Sequence, residues 1–144
     1  MDYAVIDHLS EAQLQDLHAL YQTVWWAKGR SLADTRQLVQ NSDIVIGLCE
    51  PESATLVGFS RVLTDFLFRA IIFDVIVAPG CQGQGVGRAL LEATVNHRDL
   101  AAVESIGLSC LPDMVPFYQK WGFSDETEQK LMQRSHYARR PVDE

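Results

Sequence analysis

Residues 75–88 read VIVAPGCQGQGVGR, an apolar strand that runs through a glycine-rich turn into a helix. Three glycines, Gly83, Gly85 and Gly87, lie at the start of that helix, where each costs up to about 1 kcal/mol relative to alanine. Because they leave the backbone uncovered, successive N–H groups can converge at the helix N-terminus, whose partial positive charge suits a pyrophosphate. We therefore interpret the turn as an anion site, to which Arg88 adds a cation.

The glycine spacing narrows the choice of pyrophosphate ligand. A dinucleotide-binding unit has GxGxxG after its first strand and an acidic residue about 20 positions later. Here the spacing is GxGxG, and the turn follows the fourth predicted strand. A nucleotide-hydrolysing P-loop requires GK followed by Ser or Thr, which this turn lacks. Hydride transfer and nucleotide hydrolysis are disfavoured, whereas a glycine-rich turn without a ligand stays open as the alternative.

The apolar pattern on both sides of the turn predicts the order β-α-α-β-β-β-α-β-α-β, an α/β fold with a mixed sheet and helices on both faces. Residues 70–77 have few polar interruptions, which is typical of a central strand buried on both faces. Ser10 with Gln13 forms a capping-box pattern, and Ser31 to Asp34 is a second helix-start signal. We place the elements at residues 3–5, 10–24, 31–39, 44–49, 55–63, 70–77, 83–97, 103–110, 114–121 and 129–134.

Composition indicates one acidic domain. The 144 residues, 47% of them hydrophobic, can form a single core, so we assign residues 1–144 to one domain with a core at about 3–134 and a loose tail from Arg139 to Glu144. A net charge of -7 argues against nucleic-acid partners, and no apolar run reaches the ~18–20 residues of a membrane span. We expect a cytoplasmic location, since no signal peptide is visible, and no metal, since the cysteines include no CxxC pair.

Two motifs in this order resemble those of the GNAT superfamily of N-acetyltransferases. The family signature [Q/R]-x-x-G-x-[G/A] stands between the fourth strand and the third main helix, and Gln82, Gly85 and Gly87 match it position by position. Residues 116–123, PFYQKWGF, look like the family's FYxKxGF segment. The resemblance implies the GNAT acyl-CoA N-acyltransferase fold across about residues 3–134, with acetyl-CoA as the acyl donor.

The resemblance also implies which residues hold acetyl-CoA. The backbone of Val75, Ile76 and Val77 would pair with the pantetheine arm as an added strand. The pyrophosphate would be held by the amides of Gln82, Gly83, Gln84, Gly85, Val86, Gly87 and Arg88. Many family members have Asn where this chain has Leu111, which places one cofactor contact in doubt.

Tyr118, in the second motif, would act as general acid near the thioester sulfur. A phenol has a pKa near ~10 and is protonated at neutral pH, so it can donate to a departing thiolate. The alternative is that Tyr118 is a core aromatic on an amphipathic helix with Met114, Phe117 and Trp121.

Asp74 is the best local candidate for a general base, because a carboxylate within the apolar run 70–77 is costly unless it is used or paired. Some family members have a second acidic residue just before it, where this chain has Phe73. The alternative is a carboxylate satisfied by backbone donors that orients a loop, with water relaying the proton.

Aromatic residues indicate where the molecule that accepts the acetyl group would bind. Tyr21, Trp25, Trp26 and the hydrophobic loop 65–68 suggest an amine with an apolar or aromatic body. Residues 20–26, LYQTVWW, look like the LY-x-x-VGW stretch of small bacterial members and of cyanobacterial and plastid arylalkylamine acetyltransferases, with Trp25 replacing Gly. A tryptophan pair packed on the sheet is the alternative.

The predicted function is transfer of acetyl from acetyl-CoA to a primary amine of a small molecule, by direct attack in a ternary complex. Two alternatives stay open: an acyl-CoA-binding regulatory module without turnover, and an acetyltransferase acting on protein N-termini or lysines. Dimers are common in families of this kind, so a homodimer is a further expectation.

Overall fold

A computed structural model describes residues 2–135 of the protein. Its strands are β1 (Ala4–Ile6), β2 (Ile44–Cys49), β3 (Leu56–Thr64), β4 (Arg69–Val77) and β5 (Ser105–Leu108). Its α-helices are α1 (Glu11–Tyr21), α2 (Leu32–Gln40), α3 (Val86–Val95) and α4 (Val115–Gln119), with 3₁₀ turns at Pro79–Cys81, Arg98–Leu100 and Pro112–Met114. The sheet order is β1-β2-β3-β4-β5; neighbours from β1 to β4 are antiparallel, and β5 is parallel to β4. The mixed α/β fold is confirmed.

Helices cover both faces of the sheet, as predicted. On one face Leu90 of α3 shares a core cluster with Ile46 of β2. On the other face Tyr21 of α1 packs edge-on against Phe59 of β3, with ring centroids 6.4 Å apart. Because successive side chains of a strand point to opposite faces, the strands supply both cores at once.

Both helix starts lie where the sequence predicts them. The Ser10 hydroxyl accepts a hydrogen bond from the Gln13 backbone, and the Gln13 side chain accepts one from the Ser10 backbone; Ser31 and Asp34 form the same arrangement at α2. Each pair satisfies two donors that the first helical turn would otherwise leave unpaired.

The side chain of Gln22 bridges the connection between α1 and α2. α1 ends at Tyr21, and the amide of Gln22 then donates to the carbonyl oxygen of Arg30 (2.9 Å) and accepts from the N–H of Gly29 (3.0 Å). Residues 22–31 therefore close on themselves as an ordered loop at one end of the two helices.

β4 has one residue more than β3 where the two strands pass each other. Ser60 of β3 faces two residues of β4, Asp74 and Val75, because the register shifts between Phe59 and Arg61. Asp74 adopts a left-handed backbone conformation with φ 58°. Such a bulge bends the strand and re-aims its side chains, so that Asp74 points to the same face as the residue before it.

The expectation that β4 is buried on both faces is wrong. Ala70 and Ile72 are buried, but Ile71 and Phe73, which point to the opposite face, are each 37% exposed. α1 contributes to the core on that face only near Ile76. The β4 face that carries Ile71 and Phe73 is therefore partly accessible.

The predicted last strand at residues 129–134 is also wrong. These residues carry no regular secondary structure, and Leu131 and Met132 are 73% and 88% exposed. A strand buries one face by alternating apolar and polar residues. Here two adjacent apolar residues would point to opposite faces, so no register buries both on one side of the sheet.

The tail predicted at Arg139–Glu144 lies outside the described residues. Within residues 2–135 no helix is both long enough and apolar enough to cross a membrane.

A buried pair of hydroxyl groups joins α3 to the sheet. Ser60 and Thr94 are both fully buried, and their hydroxyl oxygens are 2.8 Å apart. Thr94 donates its own proton to the carbonyl oxygen of Leu90 (2.7 Å), so Ser60 is the donor between the two hydroxyls. This pair helps to fix the helix that begins at the glycine-rich turn.

We expect Thr94→Val to lower the free energy of unfolding by about 1–3 kcal/mol, because it leaves the buried Ser60 hydroxyl without an acceptor. The double variant Ser60→Ala/Thr94→Val should recover most of that loss, since it removes both polar groups. Urea unfolding of Ser60→Ala, Thr94→Val and the double variant measures the three losses of unfolding free energy. A double variant as unstable as the sum of the singles would contradict it.

Candidate active site

The candidate site begins where β4 and β5 part. Their pairing runs from Arg69 opposite Ser105 to Ile72 opposite Leu108. Beyond Ile72, among the residues that the structure describes, β4 continues beside β3 alone. The edge of Val75–Val77 that faces away from β3 is therefore open, and its backbone groups can pair with an extended ligand.

The glycine-rich turn continues directly from that open edge. Gly83 and Gly85 have φ of +80° and +81°, a conformation that L side chains rarely adopt, and a Cβ on either would meet nothing within 4 Å. Gly85 is the N-cap of α3. The N–H groups of Val86, Gly87 and Arg88 have no acceptor within the helix and point out of its N-terminus. The turn is an open set of backbone donors with the polarity that an anion requires.

The side chain of Gln84 holds the turn in shape. Its amide donates to the carbonyl oxygen of Gly80 (3.3 Å), and its oxygen accepts from the hydroxyl of Tyr3 (3.4 Å). The turn is thus tied to the first strand region, a contact that the sequence analysis did not predict. Gln82 and Arg88 are exposed, which leaves both side chains free to meet a ligand.

α4 stands against the head of α3. A Cβ on Gly87 would lie 3.5 Å from the ring of Phe117 and 3.8 Å from Val77, which are ordinary van der Waals distances, so α3, α4 and the end of β4 pack together at this point. Tyr118, the next residue of α4, is buried with its ring edge-on to Phe117 and Phe123, at centroid distances of 5.1 and 6.2 Å.

Tyr118 combines a packed ring with a protonated hydroxyl. Burial, with a smaller effect of the Cys110 thiol, raises the pKa of Tyr118 above its ordinary value. Among residues 2–135 its hydroxyl has no hydrogen-bond partner, so its proton is available to a bound group. The two interpretations of Tyr118, core aromatic and proton donor, are compatible in this arrangement.

Asp74 is paired with side chains, and not with the backbone. Its Oδ2 accepts hydrogen bonds from the Tyr21 hydroxyl (2.9 Å), the Arg30 guanidinium (3.0 Å) and the Arg61 Nε (2.7 Å). The side chain of Asp74 is only 7% exposed. Burial and the charge of Asp74 raise the pKa of Tyr21, which keeps its hydroxyl protonated as a donor.

Sequence reasoning found Asp74 but missed both arginines. For Arg61 a signal existed, because a charged residue within the apolar strand 55–63 requires a partner. Arg30 lies in a connection between two helices, where an arginine is ordinarily solvent-exposed, so its position gave no signal.

The predicted acceptor residues are only partly brought together. Trp26 lies beside Tyr21, at a centroid distance of 6.4 Å, and is 39% exposed, while Trp25 is 76% exposed. The hydrophobic loop 65–68 precedes β4 and lies at the opposite end of that strand from Val77, because the eight steps from Arg69 to Val77, at ~3.3 Å each, span about 26 Å. Leu111 is exposed just before the 3₁₀ turn that leads to α4.

The chain belongs to the GNAT acetyltransferase family. A family model described as "Acetyltransferase (GNAT) domain" matches residues 41–125. A putative acetyltransferase of the GNAT family from Xanthomonas campestris pv. campestris has the same fold, with a TM-score of 0.76 and 28% identity over 92% of this chain and 93% of that one.

Three relatives are similar in sequence. An uncharacterized N-acetyltransferase of Pyropia yezoensis is 37% identical over 76% of this chain and 64% of its own length. A histone acetyltransferase of Glycine max is 33% identical over 82% and 54%. A chloroplastic serotonin N-acetyltransferase of Oryza sativa subsp. japonica is 41% identical over 47% and 34%. The chain spans less than two thirds of each of these relatives.

We expect Gly85→Ala to lower the free energy of unfolding by about 1–2 kcal/mol, because an alanine must adopt the left-handed conformation of the α3 N-cap. Gly80→Ala is the matched control: Gly80 belongs to the same turn, has no positive φ and has nothing within 4 Å of an added Cβ. It should change stability by less than about 0.5 kcal/mol. If urea unfolding shows that Gly85→Ala and Gly80→Ala lose the same free energy of unfolding, the backbone conformation of Gly85 is not the cause.

Proposed function

We propose that the protein transfers the acetyl group of acetyl-CoA to the primary amine of a small molecule. The observation that carries this proposal is the open edge of Val75–Val77, which leads without interruption into the donors of the glycine-rich turn. Amides of a pantetheine arm can pair with the edge as an added strand, and the N–H groups at the head of α3 can bind the pyrophosphate. Arg88 supplies a cation at the same place.

The reaction requires a proton donor for the thiolate and a proton acceptor for the amine. When bound, acetyl-CoA supplies the thioester. The amine nitrogen bonds to its carbonyl carbon, the carbon–sulfur bond breaks, the thiolate takes a proton from Tyr118, and the amine loses a proton to a base or to water. The raised pKa of Tyr118 keeps its proton in place at neutral pH. Orientation of amine and thioester in one complex can contribute several kcal/mol to lowering the barrier.

Asp74 as the base that takes the amine proton stays a prediction. Its Oδ2 already accepts three hydrogen bonds, two of them from guanidinium groups. A base must give up its negative charge, and here that charge balances two arginines. Water as the proton relay is the alternative that these contacts favour.

A small amine with an apolar body is the acceptor that the surface suits best. Trp25, Trp26 and Phe73 present exposed aromatic rings on the side of the sheet that Asp74 faces. The net charge of -7 favours the approach of a cationic amine. The rice relative is named for serotonin, and the soybean relative for histones, which makes protein acetylation the second candidate.

A screen of amines, monitored by release of free CoA thiol, tests the function. Arylalkylamines, aliphatic amines, amino acids and histone-tail peptides are the acceptors, and Gly85→Glu is the control protein, because its carboxylate would repel the pyrophosphate. Turnover of a small amine supports the proposal. Preferred turnover of peptides supports protein acetylation; acetyl-CoA binding without thiol release for any acceptor indicates a regulatory module and contradicts transfer.

We expect Tyr118→Phe to lower kcat by about 10²-fold and to leave the affinity for acetyl-CoA nearly unchanged, because it removes the proton donor but keeps the packed ring. Steady-state kinetics and acetyl-CoA binding by calorimetry measure the two effects, and the thermal midpoint checks that the ring still packs. A variant with wild-type kcat would exclude Tyr118 from the chemistry.

A further inference from the structure

The α1–α2 connection is attached to the sheet through the carboxylate of Asp74. The three donors to that carboxylate come from three different elements: Tyr21 from α1, Arg30 from the connection and Arg61 from β3. Asp74 itself belongs to β4 and directly precedes Val75, the first residue of the open edge. One side chain therefore links the aromatic side of the site to the strand that would hold the thioester.

Aromatic rings pack against both arginines. The Arg30 guanidinium carbon lies 4.6 Å from the centre of the Tyr21 ring and 5.5 Å from that of Trp26. The Arg61 guanidinium carbon lies 5.1 Å from the centre of the Phe73 ring. Stacking on rings restricts a guanidinium to one plane, so each arginine reaches Asp74 in a fixed orientation.

Arg30 also packs against one of the two tryptophans, Trp26. It ends the loop that Gln22 closes, and Trp26 packs against both Arg30 and Tyr21. The backbone on either side of the tryptophans is held by Val24 and the buried Ala27, which pack on the core below α1. The ring of Trp26, which is 39% exposed, is held by Arg30 and Tyr21, and the guanidinium of Arg30 is held by Asp74.

We propose that Asp74 is a positioning residue: through Arg30 it fixes the ring of Trp26 relative to Val75–Val77, and so it sets the affinity for the acceptor amine. This inference rests on the function proposed above. It also explains the bulge, because without the extra residue the carboxylate would point to the α3 face, away from its three donors.

Kinetics of Asp74→Asn, Arg30→Gln and the double variant test the proposal. Each single variant should raise the KM for the amine about tenfold or more, leave the KM for acetyl-CoA within about twofold and lower kcat by less than about fivefold. The KM for the amine in the double variant should not exceed the higher of the two single-variant values, because both substitutions break the same link. Arg30→Lys keeps the charge but loses the planar group, so its KM for the amine should lie between those of the wild type and Arg30→Gln.

Arg36→Gln is the matched control. Arg36 pairs with Glu11 and joins α2 to α1 on the surface, so this variant removes an arginine–carboxylate contact of the same helices without touching the sheet. It should keep the wild-type KM for the amine. Should Asp74→Asn fail to fold, Arg30→Gln carries the test, since it leaves the carboxylate and its contact with Arg61 in place.

The pH profile separates a positioning residue from a base. In Asp74→Asn and Arg30→Gln, the pH profile of kcat/KM for the amine should retain its acidic limb. If Asp74→Asn instead loses that limb and about 10³-fold in kcat at an unchanged KM, while Arg30→Gln behaves as wild type, Asp74 is the base and the proposal is overturned. An unchanged KM for the amine in both variants overturns it as well.

A second measurement does not depend on catalysis, so it distinguishes failure of this inference from failure of the proposed function. In a Trp121→Phe background the emission comes from Trp25 and Trp26, the other two tryptophans of the chain. Arg30→Gln and Asp74→Asn should shift that emission to longer wavelength and increase quenching by acrylamide, whereas Arg36→Gln should not. No change in the first two variants overturns the link between Asp74 and the tryptophans, whether or not any amine is acetylated.

Discussion

At Asp74 the fourth strand carries one residue more than its neighbour, and the backbone takes a left-handed φ of 58° to accommodate it. A strand with an added residue bends, and its later side chains change faces. Asp74 thereby meets Tyr21, Arg30 and Arg61 on one face, while Val75 and Val77 join the core on the other. Shortly before the bulge the pairing with β5 ends, which leaves the edge of Val75–Val77 open.

The net charge of the protein says less about anion binding than the local arrangement of backbone donors and side-chain charges. A chain with a net charge of -7 offers little general attraction to a polyanion. For the proposed acetyl-CoA, the glycine-rich turn offers oriented backbone donors at the head of α3 and one cation, Arg88, which act over a few ångströms. The proposed amine would meet the exposed aromatic surface on the other face of the sheet.

Tyr118 illustrates why a structural and a chemical role need not exclude each other. Its ring packs edge-on between Phe117 and Phe123, and the same burial raises the pKa of its hydroxyl. Phe117 also packs beside Gly87 at the head of α3, so the two motifs meet in the folded chain.

Local patterns in the sequence determined the helix starts, the hairpin of β2 and β3, the glycine-rich turn and the family, because caps, turns and backbone-exposing glycines act over a few residues. They also led to a last strand at 129–134 that does not form, since two adjacent apolar residues cannot both face one side of a sheet. Only the tertiary structure decided the bulge, the open face of β4 and the partners of Asp74. Arg30 lies 44 residues from Asp74 in the sequence, and nothing local to either indicates that they meet. Their contact depends on how the α1–α2 connection lies across the sheet, which is a property of the whole packed chain.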